Sequence, residues 1–66
     1  MEKVKKEPVL IKLRDVLTMT SMSKAYIYLL INNSEFPKPV KIGRSSFWVY
    51  SEVIGWIESK IDERVC

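Results

Sequence analysis

Two prolines one residue apart divide this chain into halves that no single helix or strand can join. In Phe36-Pro37-Lys38-Pro39, two of four positions lack a backbone N–H, and each proline pushes its predecessor towards extended backbone. Before this connector the apolar residues recur at helical spacing. After it, Val40-Lys41-Ile42 alternates, Gly43-Arg44-Ser45-Ser46 is turn-like, and Phe47-Trp48-Val49-Tyr50 is aromatic and β-branched. Strand, short glycine-containing loop, strand is a hairpin signal. With 66 residues there is room for one domain, and its core must be small.

On the helical side, Leu13, Val16, Leu17 and Thr20 fall on one stripe and predict a first helix over Arg14 to Thr20. Asp15 sits in its first turn, where the helix dipole favours an acid. Thr20-Ser21-Met22 is a tight turn, and Ser23 is an N-cap for a second helix from Lys24 to about Asn32. At 100° per residue Ile27, Leu30 and Ile31 face the core, Ala25 and Leu29 face away, and Tyr26 and Tyr28 take the two flanks. Asn32-Asn33-Ser34 then ends the helix with residues that tolerate the left-handed conformation. Beyond the hairpin, Ser51 is the expected cap of a third helix whose buried stripe is Val53, Ile54, Trp56, Ile57 and Ile61. Phe36, Phe47 and Trp56 are expected in the core, and Trp48 on the more exposed hairpin face. Upstream, residues 1–8 read as a flexible basic arm ending in Pro8, and Val9-Leu10-Ile11 as an edge strand leading into the 9–66 domain.

Composition narrows the functions. There is no histidine, and the one cysteine is Cys66, so an internal disulfide and a His/Cys metal cluster are excluded. No glycine-rich phosphate loop, and no nucleophile paired with a base, is present, and the acids fall on solvent-facing helix positions. This pattern argues against an enzyme and implies no cofactor and no small-molecule substrate. No apolar run approaches membrane-spanning length and no signal-peptide core follows the basic start, which predicts a soluble cytoplasmic protein. Charge is distributed unevenly: residues 1–50 carry nine Lys/Arg against four acids, and residues 51–66 carry two against four. A basic body with an acidic end suits a chain that turns one face to a polyanion.

Two short helices joined by a tight turn, the second capped by serine and carrying Lys and Tyr near its start, form a helix-turn-helix pattern. A major groove about 12 Å wide admits one such helix, whose first turns reach base edges and flanking phosphates. Lys41 and Arg44 beside Gly43 add cations to a loop suited to the adjacent backbone or minor groove.

These residues also carry a family resemblance. Ser21-Met22-Ser23-Lys24-Ala25-Tyr26-Ile27-Tyr28 resembles the turn and recognition helix of AlpA-type prophage regulators and related excisionase-like proteins. Phe36-Pro37-Lys38-Pro39-Val40-Lys41-Ile42-Gly43 is similar to the family's connector into its wing. Phe47-Trp48, followed by Ser51-Glu52-Val53-Ile54-Gly55-Trp56-Ile57, is similar to its second wing strand and closing helix. The resemblance spans roughly residues 10–64. It implies a mainly α fold with a small β-hairpin, a MerR-like winged helix-turn-helix, and a sequence-specific DNA-binding regulator of prophage or mobile-element origin.

Carried over by position, Ser23, Lys24, Ala25 and Tyr28 are the recognition-helix contacts, and Lys41, Arg44 and Ser45 the wing contacts. Tyr26 stands near the expected phosphate contacts, where the family commonly has Thr or Ser. Ser21 replaces a usual glycine, and Leu29 a usual polar residue. The implied partner is double-stranded DNA in a bacterial nucleoid, with a homodimer or cooperative binding at tandem sites left open. Two alternatives remain beside a transcriptional regulator: an architectural excision factor, and a protein-interaction adaptor that uses Leu29, Trp48 and the acidic third helix.

Overall fold

The computed structural model describes residues 9–64; the basic arm and Cys66 lie outside them. The order is β1 (Leu10–Lys12), α1 (Leu13–Thr20), α2 (Lys24–Asn32), β2 (Val40–Ile42), β3 (Ser45–Val49) and α3 (Tyr50–Glu63). The strands form one antiparallel sheet in the order β1-β3-β2. The hairpin β2–β3 is therefore widened by β1, which pairs Leu10, Ile11 and Lys12 with Val49, Trp48 and Phe47. Three helices and this sheet make a winged helix-turn-helix domain of the expected class.

Local chemistry sets each boundary. The Lys12 N–H donates to the Asp15 carboxylate at 3.2 Å, so Asp15 caps the start of α1 as well as complementing its dipole. Ser21 ends α1 in the left-handed region, φ 58°, with its N–H donating to the Leu17 carbonyl at 2.7 Å. The Thr20 hydroxyl fastens the turn by donating to the Val16 carbonyl at 2.9 Å and accepting from the Met22 N–H at 3.3 Å. Ser23 caps α2 as expected, its hydroxyl accepting from the Tyr26 N–H at 3.2 Å. At the other end, Ser34 (φ 60°) lets its own N–H reach the Ile31 carbonyl and the Glu35 N–H the Leu30 carbonyl, the paired bonds of a Schellman motif. The hairpin turn is two residues long, Gly43-Arg44, because Ile42 pairs with Ser45. Positive φ falls on Gly43 alone (61°), the sign pattern of a type II′ turn.

The core consists of Val16, Ile27, Leu30, Phe36, Trp48 and Val53. Ile11, Leu13, Leu17, Met22, Tyr28, Ile31, Trp56 and Ile57 pack around it as half-buried neighbours. Several expectations are corrected here. Trp48 is 0% exposed and is the largest buried side chain, whereas Phe47 is half-buried and outside the core cluster. The hairpin pattern alone leaves open which face turns inward. The pairing of Ile11 with Trp48 decides it, since both stand on the face covered by the helices. Trp56 is half-buried at the core's margin, and Ile61, past the last core contact of α3, is exposed.

Ser51 is not the cap of α3. The helix begins at Tyr50 with Val49 before it and no side-chain cap. The Tyr50 N–H instead donates to the Val9 carbonyl at 2.7 Å, so the sheet satisfies the helix's first donor and a serine is not needed there. The second wing strand accordingly runs from Ser45 to Val49, not Phe47 to Tyr50.

Candidate nucleic-acid interface

The candidate residues fall into two groups, one at the start of α2 and one on the hairpin. Ser23, Lys24, Ala25 and Tyr26 are exposed, and Tyr28 is half-buried. The first-turn N–H groups of Lys24 and Ala25 lack acceptors within the helix, as at any helix start, and are available to an anion. On the hairpin, Lys41, Arg44 and Ser45 are exposed. The Lys41 ammonium donates to the Ser46 hydroxyl across the strand pair at 2.8 Å, which holds the side chain along the sheet.

Tyr28 joins the two groups. Its ring meets that of Trp48 edge-on, centroids 6.4 Å apart, so this flank of α2 rests on the inner face of β3. Strand alternation then orders the hairpin. Trp48, Ser46 and, through its pairing with Ser46, Lys41 share the face of the sheet that is turned to the helices. Lys24 lies one turn before Tyr28 and only about 40° from it around the helix axis. Lys24 and Tyr28 thus share one flank of α2, Ser46 and Lys41 share the Trp48 face of the hairpin, and Arg44 is at its tip.

Two candidates point elsewhere. Ser45 pairs with Ile42 on the opposite face of the sheet. Tyr26, about 100° around the helix from Ile27 on the far flank, lines a cleft with Met22, Leu30, Glu35, Trp56 and Lys60. Sequence reasoning missed Ser46, which parity counted from Trp48 would have found. It also passed over Asn32, exposed one turn beyond Tyr28 on the same side of α2, whose amide suits a base edge or a phosphate.

The flank towards α3 has a different character. An open cleft of about 650 Å³ lies between the connector and α3, lined among others by Glu35, Phe36, Glu52, Trp56 and Lys60. The Trp56 ring packs edge-on against Phe36 with centroids 4.8 Å apart, and its indole N–H donates to the Glu35 carbonyl at 2.7 Å. Lys60 lies 5.6 Å from the Trp56 ring centre and pairs with Glu63 at 3.3 Å. Among the described residues no group of three or more acids or cysteines is placed to hold a metal ion, and no helix is long and apolar enough to cross a membrane.

Residues 9–61 match the family described as Prophage CP4-57 regulatory protein (AlpA). The chain belongs to the AlpA prophage regulatory family. A relative from Enterobacteria phage P4, "Uncharacterized protein ORF88", is 33% identical over 55 residues, which cover 82% of this chain and 62% of the phage protein. The chain thus spans about three fifths of that relative's length. No solved structure matches it. The AlpA match takes in β1, both helices of the helix-turn-helix, the wing and most of α3, so every element that carries a candidate residue lies within it.

Proposed function

We propose that this AlpA-family chain is a sequence-specific DNA-binding regulator, non-catalytic, acting on a prophage or related mobile element. The start of α2 enters the major groove, and the Gly43-Arg44 tip lies on the neighbouring backbone or minor groove. One observation supports the reading: the Tyr28–Trp48 contact sets the flank of α2 that begins near Lys24 against β3, the strand paired with the Lys41 strand of the wing. Lys24 and Arg44 contact phosphate, and Ala25, with Asn32 beyond it, faces base edges. The first-turn N–H groups bind a phosphate at the Ser23 end.

Fluorescence anisotropy tests this with a duplex from upstream of the chain's own gene beside a scrambled duplex, at two salt concentrations. A preference for the native duplex of about tenfold or more, weakening with salt, is the expected result. Absence of binding at low salt would overturn the reading. Salt-sensitive binding without preference would replace a regulator by an architectural role.

A further inference from the structure

Leu29 is 50% exposed in the middle of α2, on the side turned away from the buried Ile27 and Leu30. Around the helix axis it lies about 40° from Ala25, one turn earlier, and about 60° from Asn32, nearly one turn later. Both neighbours are exposed as well. Along the axis Leu29 stands between them, about 6 Å from Ala25 and about 4.5 Å from Asn32. A duplex seated on Ala25 and Asn32 therefore meets Leu29. Of the three helices α2 alone carries no acidic residue, and Lys24 at its start is its single charge.

We propose that Leu29 is a specificity-determining residue that selects thymine through its 5-methyl group. The proposal rests on the DNA-binding reading and names the base that this face of α2 takes. A leucine side chain neither donates nor accepts a hydrogen bond. On the floor of the major groove guanine presents N7 and O6, adenine N7 and an amino group, and cytosine an amino group; thymine alone adds a methyl. Against a purely polar edge Leu29 displaces water and returns no hydrogen bond, which costs affinity. Against thymine it buries one apolar group on another. Selection thus has two sources, a gain at thymine and a penalty at the other bases. Charge and size favour this occupant over a protein. An acid-free helix that starts with Lys24 and unpaired first-turn N–H groups suits a polyanion. Leu29 stands between a small alanine and a polar asparagine, not in the broad apolar patch that a protein partner needs.

The test begins with a duplex selected by the full chain from a randomised pool. Its thymines are then replaced one at a time by deoxyuridine, which lacks only the 5-methyl group, and anisotropy reads each Kd. Replacement at one thymine, or at two adjacent ones, is expected to weaken wild-type binding about fourfold, the equivalent of one buried methyl-sized group. Leu29→Ala, a helix-compatible change at an exposed site, is expected to bind the thymine duplex at least about fourfold more weakly and to lose the sensitivity at that position. Lys24→Ala is expected to weaken binding and keep the sensitivity. A pool that yields no salt-sensitive binding would overturn the DNA-binding reading, and this proposal with it. Salt-sensitive binding that ignores every deoxyuridine, or a Leu29→Ala variant as methyl-sensitive as wild type, would overturn the thymine assignment alone. Wild-type affinity in Leu29→Ala would also overturn it and leave the residue to a protein surface.

Discussion

The two tryptophans do related jobs on opposite sides of one connector. Both donate their indole N–H to backbone at its start, Trp48 to the Pro37 carbonyl at 3.1 Å and Trp56 to the carbonyl of Glu35, just before it, at 2.7 Å. Together they pin the segment that turns the chain from helices to hairpin, whose prolines supply no donors of their own. Their surroundings differ. Trp48 is sealed between Tyr28 of α2 and the core, and the strand that bears it continues into a wing with Lys41 and Arg44. Trp56 floors an open cleft with Glu35 and Glu52, and its nearest cation, Lys60, is already paired with Glu63. One tryptophan couples the core to the cationic side, and the other closes the acidic side.

Removal of the two rings should separate these roles. Trp48→Ala empties a fully buried site and should cost about 3–5 kcal/mol, comparable to the whole stability of a domain this small. The variant is expected to be largely unfolded by circular dichroism at 25 °C. Trp56→Ala removes a half-buried ring and should cost about 1–2 kcal/mol, leaving a folded chain with a lower Tm. Equal losses in chemical denaturation would abolish the distinction.

The phenylalanine variants are gentler. Each removes one N–H···O bond and keeps most of the packing, so about 1 kcal/mol is expected from either. Their fluorescence should differ more than their stability. With Trp56→Phe the remaining Trp48 should emit at short wavelength and resist acrylamide, whereas with Trp48→Phe the remaining Trp56 should emit further to the red and be quenched. Similar quenching constants would show that the two environments are not as distinct as described.

The smallest effect lies just before the two anchored carbonyls. Ser34 holds φ 60° immediately before Glu35. Ser34→Gly should relieve left-handed strain at some cost in unfolded-state entropy, with a net gain of about 0.5 kcal/mol readable as a small rise in Tm. A fall in Tm would mean that the serine makes a compensating contribution.

Much of this was legible in the sequence, and the misses share a physical cause. Helix ends were readable because Ser23, Asp15 and the Asn32-Asn33-Ser34 run act through bonds to backbone a few residues away. The proline pair and Gly43 marked the connector and the turn for the same local reason. What failed was the assignment of faces. Phe47 and Trp48 are both large and apolar, and only pairing with a strand some 35 residues earlier in the chain, Ile11 to Trp48, determines which goes inward. The same non-local pairing brought the Val9 carbonyl to the start of α3, which therefore needs no Ser51 cap. Tyr26 was carried over by its position in the family pattern, and its place on the flank of α2, legible at 100° per residue, lines the cleft with Trp56.

The central claim, that DNA meets the Trp48 side and not the Trp56 side, is tested by comparing Lys24→Ala with Lys60→Ala in salt titrations on the native duplex. Both are exposed helical lysines, and neither packs in the core. Loss of one phosphate contact should flatten the slope of log K against log salt by about 0.9 in Lys24→Ala, with Lys60→Ala indistinguishable from wild type. A flattened slope in Lys60→Ala with Lys24→Ala unaffected would place the nucleic acid on the α3 side and contradict the account.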